Sequence, residues 1–430
     1  MKIHFALAAF ALAAVVPANG EESAPNFLTL ADAQAMALRN HPRFAAAQLR
    51  TLLAAEEVKE TRAGFFPTAT AYADAVGVEG LNTRILAGGI NNPSVFNRVA
   101  DGLAVTQLIT DFGHTSNLTA GSKLEARAED ENAVATRDQI LLDVDIAYFG
   151  AQRAQTLVQV ARQTLDTREL LVRQVTALAE NKLKSELDVS FAQVALEEAR
   201  LLEQQVTGDA DTAMATLSTA LGYREQHFFQ LTDPPRTAEP AADVSTLIQD
   251  ALRDRPDLLR LRYERDASKR LALAARDMNY PTLAAVGMIG NAGPEDNRLP
   301  NKYEAGGIQL TLPLFAGGAY LSRQHEAEIK ANIADEELRD AEDNTSRDVR
   351  TAWVNFNTSI QRLATTEQLL KHATEAYRLA DARYRIGSSS IVELSDAQLS
   401  QTTAAITEAS ARYATLIQRA ILDYQVGVLR

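Results

Sequence analysis

The stretch Ala382–Gln398, ARYRIGSSSIVELSDAQ, decides the fold. It is a short Gly-Ser turn between two long Ala-rich helical patterns, followed at once by two acids, Glu393 and Asp396. An earlier stretch, Ala177–Gln193, matches it in register 205 residues upstream. The same offset joins Gly113 to Gly318, Val144 to Val349, Tyr148 to Trp353 and Gly222 to Gly427. Further upstream it is 214, joining Ala37 to Ala251, Pro42 to Pro256, Arg62 to Arg276 and Pro67 to Pro281. The first half therefore carries the longer loop between Pro67 and Gly113. Constant offsets over such a span mean one structural unit used twice.

Each unit reads in the same order: helix, strand, strand, long helix, tip turn, return helix. From Leu28 to Ala63 apolar residues recur at spacings of three and four, with Thr29 and Asp32 as caps and a break at Pro42. His41 lies in that break. It has no second ligand at metal spacing and reads as a turn residue. Strands are expected at about 68–78 and 99–109 in the first unit, and at about 282–290 and 303–314 in the second. Their signals are weak, as membrane β-strands of about ten residues give. Only the last alternates cleanly, with Ile308, Leu310, Leu312 and Leu314 set against Gln309 and Thr311. Each strand pair is followed by a long proline-free region. A seven-residue ladder runs through it: Val349, Phe356, Leu363, Leu370, Tyr377 and Tyr384, matched by Val144, Ala151, Val158, Leu165, Val172 and Ala179. That period argues for coiled-coil packing. A helix from Thr115 to Ala179 would span about 100 Å, a length for bridging rather than for a compact domain.

Composition narrows the function. Acids outnumber bases 56 to 43, against the basic face that nucleic-acid binding requires. There is no cysteine, which removes disulfides, thiol nucleophiles, Cys-ligated zinc and an acylated N-terminal anchor. Residues 1–20 read as a secretory signal: Lys2, an apolar run from Ile3 to Val16, then Ala18-Asn19-Gly20. Residues 21–231 form the first repeat, 232–243 (TDPPRTAEPAAD) a Pro-rich linker, and 244–430 the second repeat. No later apolar run is long enough to span as a helix, so any crossing must be made of strands. Membrane strands must pair completely, and four cannot close a barrel when the smallest have about eight. The chain then needs copies of itself, two giving eight strands and three giving twelve. No catalytic motif, metal spacing or cofactor fingerprint is present. The competing reading is a periplasmic coiled-coil scaffold.

The segments LTLADAQAMALRNHPRFAAAQ, EVKETRAGFFPTATAYA, IQLTLPLFAGG and YRIGSSSIVELSDAQ resemble the TolC-type outer-membrane efflux protein family, in its order and in both repeats. The resemblance implies a mainly α fold with a small membrane β-barrel contribution: a homotrimer whose twelve-stranded barrel continues into a coiled-coil α-barrel. It implies a passive, non-enzymatic exit duct without cofactor in the outer membrane of a Gram-negative bacterium. A periplasmic adaptor and an inner-membrane pump, proton-driven for small molecules, dock at the helical tips. The alternative is the duct of an ATP-driven protein secretion system.

The resemblance also places periplasmic gate acids at Glu393 and Asp396 and a closed-state link at Asp188 and Tyr384. It places adaptor-docking tips at Asn181, Lys182 and Leu183 and at Ile386, Gly387, Ser388 and Ser389. A second family link falls on Leu187 and Ser389, which cannot reproduce it, so fewer or different bonds are expected to hold the closed state. Independently of the family, like charges repeated around one axis repel and focus cations. The plainer reading of the two acids is a solvated first turn favoured by the helix dipole.

Overall fold

In the computed structural model, residues 27–76, 83–84, 94–95, 98–232, 243–292 and 301–429 are described. The expected signal segment and almost all of the linker lie outside them, as do most of both inter-strand loops. The elements run β1 (Phe27–Leu28), α1 (Leu30–Asn40), α2 (Pro42–Ala63), β2 (Thr68–Val76), β3 (Thr83–Arg84), β4 (Ser94–Val95), β5 (Arg98–Thr110), α3 (His114–Glu180) and α4 (Glu186–Ala220). The second half gives β6 (Gln230–Leu231), α5 (Val244–Asp254), α6 (Pro256–Asp277), β7 (Thr282–Ala292), β8 (Lys302–Thr311), α7 (Ala319–Arg385) and α8 (Ile391–Val426).

The duplication is legible in helix lengths. Helices α1 and α5 have 11 residues each, α2 and α6 have 22, and α3 and α7 have 67. Each short pair breaks at a proline that opens the next helix, Pro42 or Pro256, where its missing N–H costs nothing. His41 caps α2: its ring Nδ1 accepts the Arg43 N–H at 3.2 Å. The fourth strand is shorter than its alternation suggested. It stops at Thr311, and Leu312, Pro313 and Leu314 are irregular, because a proline cannot donate to a ladder.

Strands β2, β5, β7 and β8 form one antiparallel sheet in that order, with β2 and β8 as its edges, unpaired on their outer sides among the described residues. Next to the sheet, α2, α3, α6 and α7 lie side by side; farther away the row is α4, α3, α8, α7. The two 67-residue helices thus run the whole length, about 100 Å. At mid-length, β1 pairs in parallel with β6 over a core of Tyr148, Leu28, Ile140, Leu217 and Leu221. The Tyr148 hydroxyl donates to the Leu28 carbonyl oxygen at 2.8 Å, which ties the start of the described chain to the middle of α3.

The apolar ladder is half of the helix packing. Val349, Phe356 and Tyr384 are buried and Leu363, Leu370 and Tyr377 half-buried. A second row lies between them on α7: Thr345, Ala352, Ser359, Thr366, Ala373 and Ala380, all buried. Its mates on α3 are Ile140, Ala147, Ala154, Ala161, Arg168 and Val175, also buried. Together the two rows make the alternating three- and four-residue steps of a coiled-coil seam.

Candidate functional site

The site is the end of the molecule where α3 turns into α4 and α7 into α8. Both turns have one backbone solution. The Leu183 N–H bonds the Leu178 carbonyl at 2.9 Å, and the Ser388 N–H bonds the Arg383 carbonyl at 2.9 Å. These are the six-to-one closures of a left-handed helix stop. The left-handed residue is Gly387 (φ 77°) in one turn and Lys182 (φ 61°) in the other. Gly387 adopts that conformation without a Cβ penalty, whereas Lys182 bears one. Ser185 and Ser390 then cap the return helices, each accepting the N–H three residues on, from Asp188 at 3.1 Å and from Glu393 at 3.2 Å.

Asp188 and Glu393 hold the same position in the two repeats and do different things. Asp188 turns back onto its own cap, accepting from the Ser185 N–H at 3.1 Å and hydroxyl at 2.9 Å, which completes a capping box. Glu393 leaves its cap and takes the Arg383 guanidinium at 2.7 Å. Arg383 also reaches the Ser388 carbonyl at 3.3 Å. One turn further, Asp396 is exposed and has no side-chain partner among the described residues. The spacing of three puts both acids on one face of α8.

Between the hairpins lies a shared core of Leu171, Val175, Ala192, Ala380, Tyr384, Ile391 and Leu394. Tyr384 is 6 % exposed and its hydroxyl has no hydrogen-bond partner among the described residues. Its ring lies 4.3 Å from the Lys184 ammonium of the other hairpin, a cation–π contact. Burial, and then the nearby Asp188 charge, push the phenol above its ordinary pKa. Asp188 and Tyr384 are therefore neighbours without a hydrogen bond. Leu187 is exposed, and the Ser389 hydroxyl donates to the Ser390 carbonyl at 3.4 Å.

The sequence reading missed three contacts. Two are Arg383 to Glu393 and Lys184 to Tyr384. The third is Arg168, 5 % exposed, which donates to the Ser395 hydroxyl and carbonyl, both at 3.3 Å. Burial pulls its guanidinium below the usual arginine pKa. A signal for it existed, because its repeat mate is Ala373. The outermost apolar side chains, Leu183 and Ile386, are 70 % and 79 % exposed. Asn181 donates to the Ala177 carbonyl at 2.7 Å and closes the end of α3.

Strands at one end, paired hairpins at the other and two equivalent halves between them define a duplicated channel-type chain. The family described as outer membrane efflux protein matches residues 34–223 and again 247–428, and this chain belongs to that family. Its place is the outer membrane of a Gram-negative bacterium, with the helical part in the periplasm. The chain is 26 % identical over 398 residues to the outer membrane protein TolC of Salmonella enteritidis, covering 87 % of this chain and 77 % of the relative. It is 25 % identical over 294 residues to a probable efflux pump outer membrane protein, TtgC, of Pseudomonas putida, covering 67 % and 60 %. The crystal structure of the outer membrane protein VceC from Vibrio cholerae superposes with a TM-score of 0.78 at 18 % identity, covering 93 % of this chain and 96 % of that one.

Proposed function

We propose that this chain is the protomer of a trimeric exit duct, passively conducting small molecules across the outer membrane from a periplasmic adaptor and a proton-driven inner-membrane pump. The observation that carries the reading is the pair of open edges. A sheet of four strands ends at β2 on one side and β8 on the other, and unpaired edges are untenable in a bilayer. The same two sides are open among the helices, α2 and α4 on one and α7 on the other. Exposed apolar residues mark them, such as Phe191, Val194 and Leu201 on α4 and Val354, Leu369 and Leu379 on α7. Copies joined edge to edge satisfy strands and helices in one operation, and three give twelve strands, above the minimum of about eight.

In this reading Leu183 and Ile386, with Asn181, Lys182, Gly387, Ser388 and Ser389, form the adaptor-docking tips. Asp396 supplies a gate charge, and Glu393 joins it when Arg383 lets go. Asp188 and Tyr384 sit at the closed-state contact, held by packing and by Lys184 rather than by a bond between them. The purified protein should run as a heat-resistant trimer and form ion-conducting pores in planar bilayers; a monomer without pores would revive the scaffold. Photocrosslinking from Ser389 in the native cell identifies the pump. A proton-driven partner supports small-molecule efflux, and an ATP-driven exporter moves the assignment to protein secretion.

A further inference from the structure

One row of the sheet is unlike the rest. Tyr72 of β2 pairs with Gly102 of β5, Gly102 with Gly290 of β7, and Gly290 with Tyr303 of β8. The two tyrosines stand on the outer strands, the two glycines on the inner ones, and the phenol hydroxyls hydrogen-bond to each other across the gap. The glycines make this possible. A Cβ on Gly102 would stand 2.7 Å from both hydroxyl oxygens, and one on Gly290 would stand 2.5 Å from the Tyr303 hydroxyl. The phenol ends therefore lie low over bare backbone. A side chain at either glycine would collide with the ends of the two rings.

The pleat says which side of the sheet the arch occupies. Alternate residues of a strand share a face, so Tyr72 goes with Thr68, Thr70 and Asp74, while Ala69, Ala71, Ala73 and Ala75 take the other side. Across the sheet the alanine face carries Leu103, Val105, Ile289, Ile308 and Leu310, with Asp101, Asn291 and Glu304 confined to its outer end. In a membrane barrel the apolar face meets lipid and the polar face meets the channel. The tyrosine arch is then a lining of the lumen. It is displaced toward the outer mouth, because β2 runs away from the helices. Asp74 is exposed on the same face, two residues beyond Tyr72 and about 7 Å along the strand.

Two half-buried phenol rings beside an exposed carboxylate attract a flat organic cation, by ring quadrupole and charge together. We propose that the arch of Tyr72 and Tyr303, with Asp74, is a transit site for aromatic cations in the outer part of the duct. This rests on the duct reading above, since only a closed barrel gives that face a lumen.

The test uses the purified full-length protein in planar bilayers, with ethidium as the aromatic cation and magnesium, which keeps its hydration shell and cannot stack, as the control cation. Ethidium added at the barrel side should block the current. The variant Tyr72→Leu/Tyr303→Leu should raise the blocking concentration of ethidium at least fivefold and leave the effect of magnesium unchanged. Tyr72→Phe/Tyr303→Phe, which keeps the rings, should stay within twofold of the parent, and Asp74→Asn should weaken the block with every ring in place. If the double Leu variant does not assemble into trimers, Tyr72→Leu alone and Asp74→Asn decide the matter. Ethidium block that is unaltered in these variants overturns the site and leaves the duct standing. A parent protein that forms no pore overturns the duct, and the site with it.

Discussion

The two tip hairpins share a backbone and differ in how they treat the same acid. In the first, Asp188 folds back on Ser185 and is spent on starting its own helix. In the second, Glu393 has one more methylene, leaves Ser390 with a single capping bond, and pairs with Arg383 at the base of its own turn. The first tip is thus closed on itself, with its strain at Lys182. The second has a relaxed turn at Gly387 and a charge held by an exposed ion pair. Exposed pairs are worth about 0.2–1 kcal/mol, so the second acid is the releasable one. Identical folds can assign one position to structure in one copy and to electrostatics in the other.

The largest effect is expected where the hairpins meet. Tyr384→Ala removes a buried ring and should destabilise the tip by about 3–5 kcal/mol, read as rapid proteolysis in the turns and raised pore conductance. Tyr384→Phe should leave conductance unchanged, because the hydroxyl has no bond to lose; an open pore in that variant would show that a hydroxyl bond holds the tips. The raised phenol pKa adds a sign. Its contribution to stability is fully present below about pH 10 and is lost as pH climbs through the higher folded value. Tyr384→Phe should abolish that alkaline loosening.

Next comes the mismatch at mates 168 and 373. Ala373→Arg puts a cation into a buried position and should cost about 3 kcal/mol or more in chemical denaturation. Turn strain follows. Gly387→Val should cost about 1–2 kcal/mol, while Lys182→Gly should gain about 1 kcal/mol or less by relieving the left-handed residue. Equal responses at the two positions would erase the distinction between the turns. Loss of the caps is of similar size. Ser185→Ala should cost about 1–2 kcal/mol and Ser390→Ala less, since only the first also undoes a capping box. The smallest stability effect is Glu393→Gln, below about 1 kcal/mol. Its readout is cation selectivity of the pore, which should fall further when Asp396→Asn is added.

Much of the fold was legible because duplication writes itself twice. The repeat offsets forecast paired helices that come out at 11, 22 and 67 residues in both halves. The apolar row through Phe356 was visible because large side chains at one period stand out. The companion row was not, since Thr345, Ser359 and Thr366 carry no hydrophobic signature. Strand ends were harder, and Leu312 and Leu314 continued an alternation that Pro313 had already stopped. Within the candidate site, the family resemblance pointed to the end of the molecule where the two helical hairpins turn. It could not show that Arg383 holds Glu393, because that choice lies in side-chain rotamers over a ten-residue separation. The tyrosine arch was equally hidden: four residues scattered from 72 to 303 become a row only once strand order and register are known.

The pairing of Arg168 with Ala373 carries one more consequence. A ring built from unlinked half-length chains must place the same side chain at every equivalent position, so a bulky buried cation would be repeated at each seam. Joining two halves in one polypeptide removes that obligation. In the trimeric ring proposed above, neighbouring seams would then be rigid and yielding in turn, and the symmetry of the ring would no longer dictate the symmetry of its movement.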